Sequence, residues 1–446
     1  MSIGPHILLV NPYIWDFSAF DLWSKPLGLL YLAGTLRSNG YQVRILDCLD
    51  VHFAAPDSLT SRPARRGYGT GKYFRQRLIK PKALEAVPRY YYRFGLPTDR
   101  LLRGLQEMGR PEAILVTSLM TYWYPGIRET IALLKTVFPE SPVILGGTYA
   151  TLMPGHAGQA TGSDYLITGE GEGAILNLLA GITGEAPVAI PDPGNLDSFP
   201  YPAFDLYPHL DYVCLLTSRG CPYSCPYCAS RQLQPIFRQR NGEGVVEEIL
   251  FWNNTRGVLD FAFYDDALLM HFERHLGPIL ETLLKKRVNL RFHTPNALHM
   301  REINPERARL LFKAGFKTLR LGLETTNWAR QKAWGGKLIR EDLPRAVEAL
   351  KKAGYEKKQI EVYLLVGLPG QDVAEMGRSI LEVKDLGLRP RLAEYSPIPG
   401  TPLWQEACHS SRFPIEQEPL YHNNSLFPCL TPFSWETVQE LKDMAR

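Results

Sequence analysis

Long apolar runs are missing from this chain of 446 residues. None approaches the ~18 residues that a membrane-spanning helix needs. The first apolar stretch, Ile7-Leu8-Leu9-Val10, runs straight into Asn11-Pro12 and is too short for the core of a secretory signal. A cytoplasmic protein without membrane contact is expected. Cysteine is scarce, with seven in all; a small, odd number excludes a closed disulfide scaffold and fits a reducing compartment. Cys48, Cys214, Cys408 and Cys429 read as buried thiols that pack like small apolar residues. Short internal repeats and low-complexity tracts are also lacking, which excludes solenoids and propellers. What is there is the composition of a globular protein, 45% hydrophobic and 22% charged, in a chain too long for one core. Two domains are expected.

Charge is spread unevenly. Thirteen basic residues from Arg62 to Arg110 face only Glu85, Asp99 and Glu107, a local charge of +10. The whole chain carries +4, so the remainder stands at −6. Tyr68, Tyr73, Phe74, Tyr90, Tyr91, Tyr92 and Phe94 are interleaved with these cations. Basic plus aromatic suits nucleic acid, but no recognised binding module accompanies it. The segment is read instead as an insertion at the entrance for a small-molecule substrate, one that an anionic compound would find attractive.

Apolar spacing organises the rest. His6–Val10, Gln42–Asp47, Ala113–Thr117, Val143–Leu145 and Asp164–Thr168 read as strands. Helices are predicted at Leu27–Arg37, closed by Asn39-Gly40, at Gly126–Phe138 and at Ala174–Leu179. Strands alternating with helices imply a doubly wound, Rossmann-like parallel sheet over residues 1–180, interrupted by the insertion at 51–110. Prolines from Pro187 to Pro208 mark a linker at 181–211. A second alternation runs from 212 to 397, with strands at Val213–Thr217, Phe261–Tyr264, Asn289–His293, Thr318–Gly322, Glu361–Val366 and Arg391–Tyr395. Six strand–helix repeats fit a partial β/α barrel with its chemistry at the carboxyl ends of the strands. Residues 398–446 form a carboxy-terminal extension.

Directly after the first barrel strand lies Ser218-Arg219-Gly220-Cys221-Pro222-Tyr223-Ser224-Cys225-Pro226-Tyr227-Cys228. Its three cysteines are spaced C-x3-C-x2-C, with no fourth nearby. A cluster or zinc ion held wholly by protein takes four ligands. Three thiolates in one loop would leave one iron of a four-iron cluster open to another ligand; a zinc knuckle closed by a distant His is the plainer alternative.

The triplet resembles the signature of the radical S-adenosylmethionine (SAM) enzymes. The amino-terminal half resembles the cobalamin-binding domain found in one branch of them. Asn11-Pro12, Pro26-Leu27-Gly28-Leu29, Thr117-Ser118-Leu119-Met120-Thr121-Tyr122-Trp123, Gly146-Gly147-Thr148-Tyr149-Ala150-Thr151 and Gly169-Glu170-Gly171-Glu172 carry that likeness. The barrel half continues it with Tyr264-Asp265-Asp266, Thr294-Pro295-Asn296, Gly322-Leu323-Glu324, Gly367-Leu368-Pro369-Gly370 and Ser396-Pro397-Ile398-Pro399-Gly400-Thr401-Pro402. The likeness covers nearly the whole chain to about residue 405 and rests on the order and spacing of the motifs around the triplet.

The resemblance implies a 4Fe–4S cluster on Cys221, Cys225 and Cys228. It implies SAM contacts from Tyr227, Asp265, Asp266 and Glu324, with Tyr395 as a candidate catalytic or core residue. Cobalamin is expected against Pro26, Leu27, Gly28, Ser118, Met120, Thr121, Tyr122, Trp123, Gly146, Gly147, Thr148, Gly169, Glu170 and Gly171. The glycines would let backbone approach its polar tail. The Asp-x-His-x-x-Gly motif by which many cobalamin proteins ligate cobalt is missing. Asp50-Val51-His52-Phe53-Ala54-Ala55 comes near it, but ends in Ala and follows the second strand, so cobalt should be free of His.

The family precedent is a methyltransferase acting on an unactivated carbon. One SAM methylates cobalamin, and a second is cleaved to the radical that abstracts substrate hydrogen. A non-methylating rearrangement, cyclase or oxidoreductase on the same cofactors is the second reading, and a binding protein without turnover the third. A methylthiotransferase would need three more amino-terminal cysteines, where only Cys48 is present. An electron donor such as flavodoxin or ferredoxin, no nucleic acid, and a monomeric state complete the expectation.

Overall fold

The structure is a computed structural model that describes residues 4–53 and 62–446. Ala54 and Ala55 of the near-miss motif, and the insertion from there to Ser61, lie outside them. The chain forms two compact units, 1–211 and 212–446.

The first unit is built on five parallel strands: β1 (His6–Asn11), β2 (Gln42–Asp47), β3 (Ala113–Val116), β4 (Val143–Leu145) and β5 (Tyr165–Leu166). They lie in the order β5-β4-β3-β1-β2. Ile7 to Val10 are wholly buried because helices cover both faces of a parallel sheet, so the run is continuous and not alternating. Helix α1 (Leu27–Ser38) follows β1, α2 (Tyr124–Val137) follows β3, and α3 (Gly171–Thr183) follows β5. α1 stops where Asn39-Gly40 predicts, with Gly40 at φ +85°. The strand order reverses between β1 and β3, and a crevice for ligands opens beyond the strand ends at such a reversal.

The basic insertion is not a separate cover. Tyr91–Phe94 pairs antiparallel with both Arg75–Leu78 and Ile14–Asp16, and Gly71–Lys72 pairs with Phe20–Asp21. It thereby extends the loop after β1. Aromatic rings act as platforms for its cations: Arg77 lies 3.7 Å above Tyr90 and Arg75 4.6 Å above Tyr92, both within the insertion, and Arg66 5.2 Å above Phe20 in the loop after β1. Arg93 is buried, 2.7 Å from Glu129 and over the Tyr13 ring.

The stretch 181–211, expected as a linker, packs on the first unit. Asn39 Oδ1 accepts the amides of Val188 and Ala189, and Tyr207 Oη donates to Asp47 at 2.7 Å. Proline excludes regular elements there, but side-chain bonds hold irregular backbone equally well.

The second unit is a six-stranded parallel sheet in sequential order: β6 (Val213–Leu215), β7 (Asp260–Phe263), β8 (Arg291–His293), β9 (Phe316–Glu324), β10 (Ile360–Val366) and β11 (Arg389–Glu394). Helices α4 (Gly242–Arg256), α5 (Leu276–Lys285), α6 (Pro305–Ala314), α7 (Asp342–Ala353) and α8 (Val373–Asp385) fill the crossovers. Phe261, Phe263, Phe292 and Phe316 pack ring to ring under β7–β9, with centroids 5.3–6.2 Å apart. β9 runs longer than predicted and shifts register between Gly322 and Glu324. The shift leaves Glu324 at φ +65°, a conformation non-glycine residues rarely hold. The carboxy-terminal extension adds helices at Trp404–Ser410 and Trp435–Met444.

Candidate functional site

The cysteine loop leaves the carboxyl end of β6, where a barrel presents reactive groups. Two features shape it. Ser218–Arg219 pairs antiparallel with Arg238–Gln239. Gly220 then turns at φ +85°, and a Cβ there would sit 2.8 Å from the Ile236 carbonyl, so only glycine fits. Asp265, at the end of β7, is 2% exposed. Its carboxylate accepts the Thr217 amide at 3.1 Å, the Thr217 hydroxyl at 2.7 Å and the Ser218 hydroxyl at 2.6 Å.

The pair expected to meet SAM therefore separates. Asp265 is spent on holding the loop, while Asp266 is exposed, takes the Ser230 hydroxyl and carries its charge toward Cys221 and Cys228. The adjacency of the two residues in sequence hid this, because successive residues leave a strand end on opposite sides.

Cys221 and Cys225 are half-buried and Cys228 is exposed. Burial, then the Asp266 charge and the other two thiols, push the Cys221 thiol up to about 11. Cys228 Sγ accepts the Ser230 amide at 3.4 Å. Burial likewise raises Cys228, and thiols held back from ionising suit a metal cluster, whose positive charge replaces their protons. No other cysteine shares the loop: Cys214 lies buried inside β6, and Cys429 in an apolar cluster with Cys408 against it. The residues fit a cluster with three protein ligands.

Glu324 projects from the end of β9 with Oε1 3.1 Å from Lys337 Nζ, while Oε2 is buried and makes no hydrogen bond among the described residues. The Glu324, Cys225 and Cys221 charges hold the Lys337 ammonium above its ordinary value despite its burial. The half-buried Tyr227 ring meets Trp334 edge-on at 5.3 Å, and burial and the Glu324 charge push its phenol up. An unsatisfied carboxylate oxygen beside a cation and two rings suits a polar ligand with a flat end. Lys337 and Trp334 escaped the sequence reading. Their signal was Trp334-Gly335-Gly336-Lys337, where both glycines take positive φ and fold a charged side chain back toward the cysteines. Tyr395 is buried with Leu368, Leu403 and Ile415. Its ring is core, although its hydroxyl has no hydrogen bond among the described residues.

In the first unit, Ser118, Gly146, Gly147, Gly169 and Gly171 all stand at the carboxyl ends of β3, β4 and β5. Ser118 Oγ donates to Gly146 O at 2.7 Å and its carbonyl accepts the Thr148 amide at 2.8 Å. The Gly147 backbone, at φ +94°, lies against Ser118 too closely for a Cβ. These four residues lock two loops together. Gly28 at the start of α1 and Gly169 before α3 instead have open space where a Cβ would stand. Pro26 caps α1, Leu27 is buried beneath it, and Glu170 precedes Gly171 at the start of α3.

Of the four residues expected at the lower face of a macrocycle, only Met120 offers a surface, at 40% exposed. Its neighbour Leu119 joins it at 52%. Thr121 and Tyr122 are buried, and Trp123 turns away to donate to Asp16 at 2.8 Å. Two exposed apolar side chains and open glycines at the reversal point of the sheet fit a flat, largely apolar ligand with a polar tail. His52 Nε2 is bonded to Asp211 at 2.8 Å.

Comparison with known proteins agrees with both halves. Residues 215–383 match the radical SAM superfamily and residues 90–179 match the B12 binding domain. The chain is 23% identical to the cytidylyl-2-hydroxyethylphosphonate methyltransferase of Streptomyces wedmorensis, over 93% of this chain and 84% of that one. It is 24% identical to the anaerobic magnesium-protoporphyrin IX monomethyl ester cyclase of Cereibacter sphaeroides, over 69% of this chain and 55% of that one. The radical S-adenosylmethionine methyltransferase TsrM from Kitasatospora setae, solved with cobalamin and a 4Fe-4S cluster bound, superposes with a TM-score of 0.70. That match has 17% identity and covers 99% of this chain and 91% of that one; the likeness is one of fold.

Proposed function

We infer that this chain, which belongs to the radical SAM superfamily and carries a B12-binding domain ahead of the barrel, is a methyltransferase that moves a methyl group from SAM by way of cobalamin to a carbon of a small molecule. One observation carries the reading: a three-thiol loop at the end of β6 stands in the same chain as a second sheet whose strand ends offer an apolar, glycine-lined surface. When bound, the cluster with SAM supplies a carbon-centred radical and cobalamin supplies a transferable methyl group.

The chain's own residues then have distinct tasks. Cys221, Cys225 and Cys228 hold the cluster, and Asp265 fixes the loop. Glu324 and Lys337 take the polar groups of SAM beside the Tyr227 ring. Leu119 and Met120 would offer cobalamin an apolar surface, while His52 is engaged by Asp211. Substrate is a small molecule, and the charge around 62–110 favours an anionic one, as the phosphonate named for the Streptomyces relative would be. Electrons come from a flavodoxin- or ferredoxin-like donor, and the protein works as a cytoplasmic monomer.

Anaerobic turnover with methyl-labelled SAM tests the reading. The expected products are S-adenosylhomocysteine, 5′-deoxyadenosine and a labelled compound. The cyclase relatives favour a second reading, an oxidative ring closure. Conversion with 5′-deoxyadenosine but no label in product would select it.

A further inference from the structure

Outside both cofactor sites, the first unit gathers two imidazoles and a carboxylate. His52 follows β2, and His209 and Asp211 end the 181–211 stretch. His52 Nε2 lies 2.8 Å from Asp211 Oδ2, and His209 Nε2 lies 2.9 Å from Asp211 Oδ1. The two rings are 4.0 Å apart between centroids. One ligand atom from each residue falls within 4.8 Å of the others.

We propose that His52, His209 and Asp211 form a binding site for a divalent metal ion of the zinc class. Two imidazoles and one carboxylate are ligands of borderline softness that suit zinc, nickel or iron(II) and not magnesium or calcium. An ion about 2.0–2.2 Å from nitrogen and oxygen needs neighbouring ligand atoms roughly 3 Å apart; the two nitrogen–oxygen separations, 2.8 and 2.9 Å, meet this, and the full set of three lies within 4.8 Å. Each ring has only to carry its proton on Nδ1 to free Nε2. His209 is 57% exposed at its side chain, so water can complete the coordination sphere. The amide of His52 donates to Asp50 Oδ1 at 3.0 Å, which fixes the backbone that aims one ring.

Charged neighbours are compatible with a cation. Arg65 Nη2 approaches Asp211 Oδ2 to 3.8 Å, but its closer partner is Asp21 at 2.7 Å, which offsets its charge. Lys25 sits 3.9 Å from Asp50 and 4.0 Å from Asp47, carboxylates outside the trio. An ion here would tie the loop after β2 to the last residues of the first unit, a structural clamp separate from the chemistry of the cysteine loop.

The test is metal counting on the full-length protein carrying its cluster and cobalamin. Iron, cobalt and zinc are measured together by plasma mass spectrometry after dialysis against buffered zinc. Roughly one zinc per chain is expected in the parent. His209→Gln, at an exposed position, and His52→Gln should each lower zinc affinity at least tenfold with iron and cobalt unchanged. Unchanged iron and cobalt also establish that the variants fold and that the cofactor reading stands independently. No zinc in the parent, or zinc that persists in both variants or follows iron content, would overturn the site and leave His52, His209 and Asp211 as a hydrogen-bonded trio only.

Discussion

Asp265 braces the start of the cysteine loop through its bonds to Thr217 and Ser218. Removing its carboxylate takes the acceptor from the Ser218 hydroxyl and the Thr217 amide in a buried place and leaves the Thr217 hydroxyl with His275 alone; each unpaired group costs about 1–3 kcal/mol. Asp265→Ala should therefore lower the unfolding midpoint and reduce iron per chain after anaerobic reconstitution. Asp265→Asn keeps one carbonyl acceptor and should retain most of the iron. Equal loading of Ala and parent proteins would remove the bracing role.

His299 is another residue whose setting has a measurable consequence. Burial, aided by the Lys337 charge, lowers its pKa to about 3, and its Nδ1 makes no hydrogen bond among the described residues. The folded protein keeps this ring neutral where the unfolded chain protonates it near 6.5. Stability is thus lost as pH falls from about 6.5 toward 3, by up to ~1.4 kcal/mol per pH unit. Urea midpoints of His299→Gln should fall less steeply than the parent's between pH 6.5 and 5. Identical slopes would show that the ring is not the group titrating.

At the scale of elements, what could be read from the sequence was what is local. Gln42–Asp47 and Val143–Leu145 have the bounds their apolar runs predict, and the cysteine loop follows the strand it was expected to follow. The insertion was illegible because its pairing is not local. Ile14–Asp16 finds its partner at Tyr91–Phe94, and no short-range pattern announces a strand pair so far apart in the chain. The same holds for Lys337, brought to the cysteines by a glycine turn from another crossover, and for Asp211, which meets His52 across most of the first unit.

Arg93 is the pin of that long-range sheet. It bonds Glu129 at 2.7 Å, Thr98 at 2.7 Å and Gln76 at 2.8 Å from a buried position. Arg93→Ala leaves Glu129 without its cation and should destabilise the first unit by about 3–5 kcal/mol. Arg77→Ala, which removes only an exposed ring contact, should cost no more than ~1 kcal/mol. Paired thermal melts check the contrast, and similar losses from both would mean the sheet is not held by the buried cation.

Across the whole molecule, charge is the property no single element owns: +10 in residues 62–110 against −6 elsewhere. The structure divides those cations by availability. Arg65 is tied to Asp21 and Arg93 to Glu129, so neither is free to attract a ligand. Arg66, Arg75 and Arg77 are exposed, each lying over an aromatic ring. A field from such groups gathers anions and is screened beyond ~8–10 Å in physiological salt. Replacing these three with Gln should raise the apparent KM for an anionic substrate several-fold at low ionic strength and little at high. kcat and the loading of cluster and cobalamin should stay as in the parent. A fall in kcat with KM unchanged would place the insertion in the reaction itself and not at its entrance. Tight, salt-sensitive binding of tRNA, lost in the same variant, would make nucleic acid the substrate and replace the small-molecule reading.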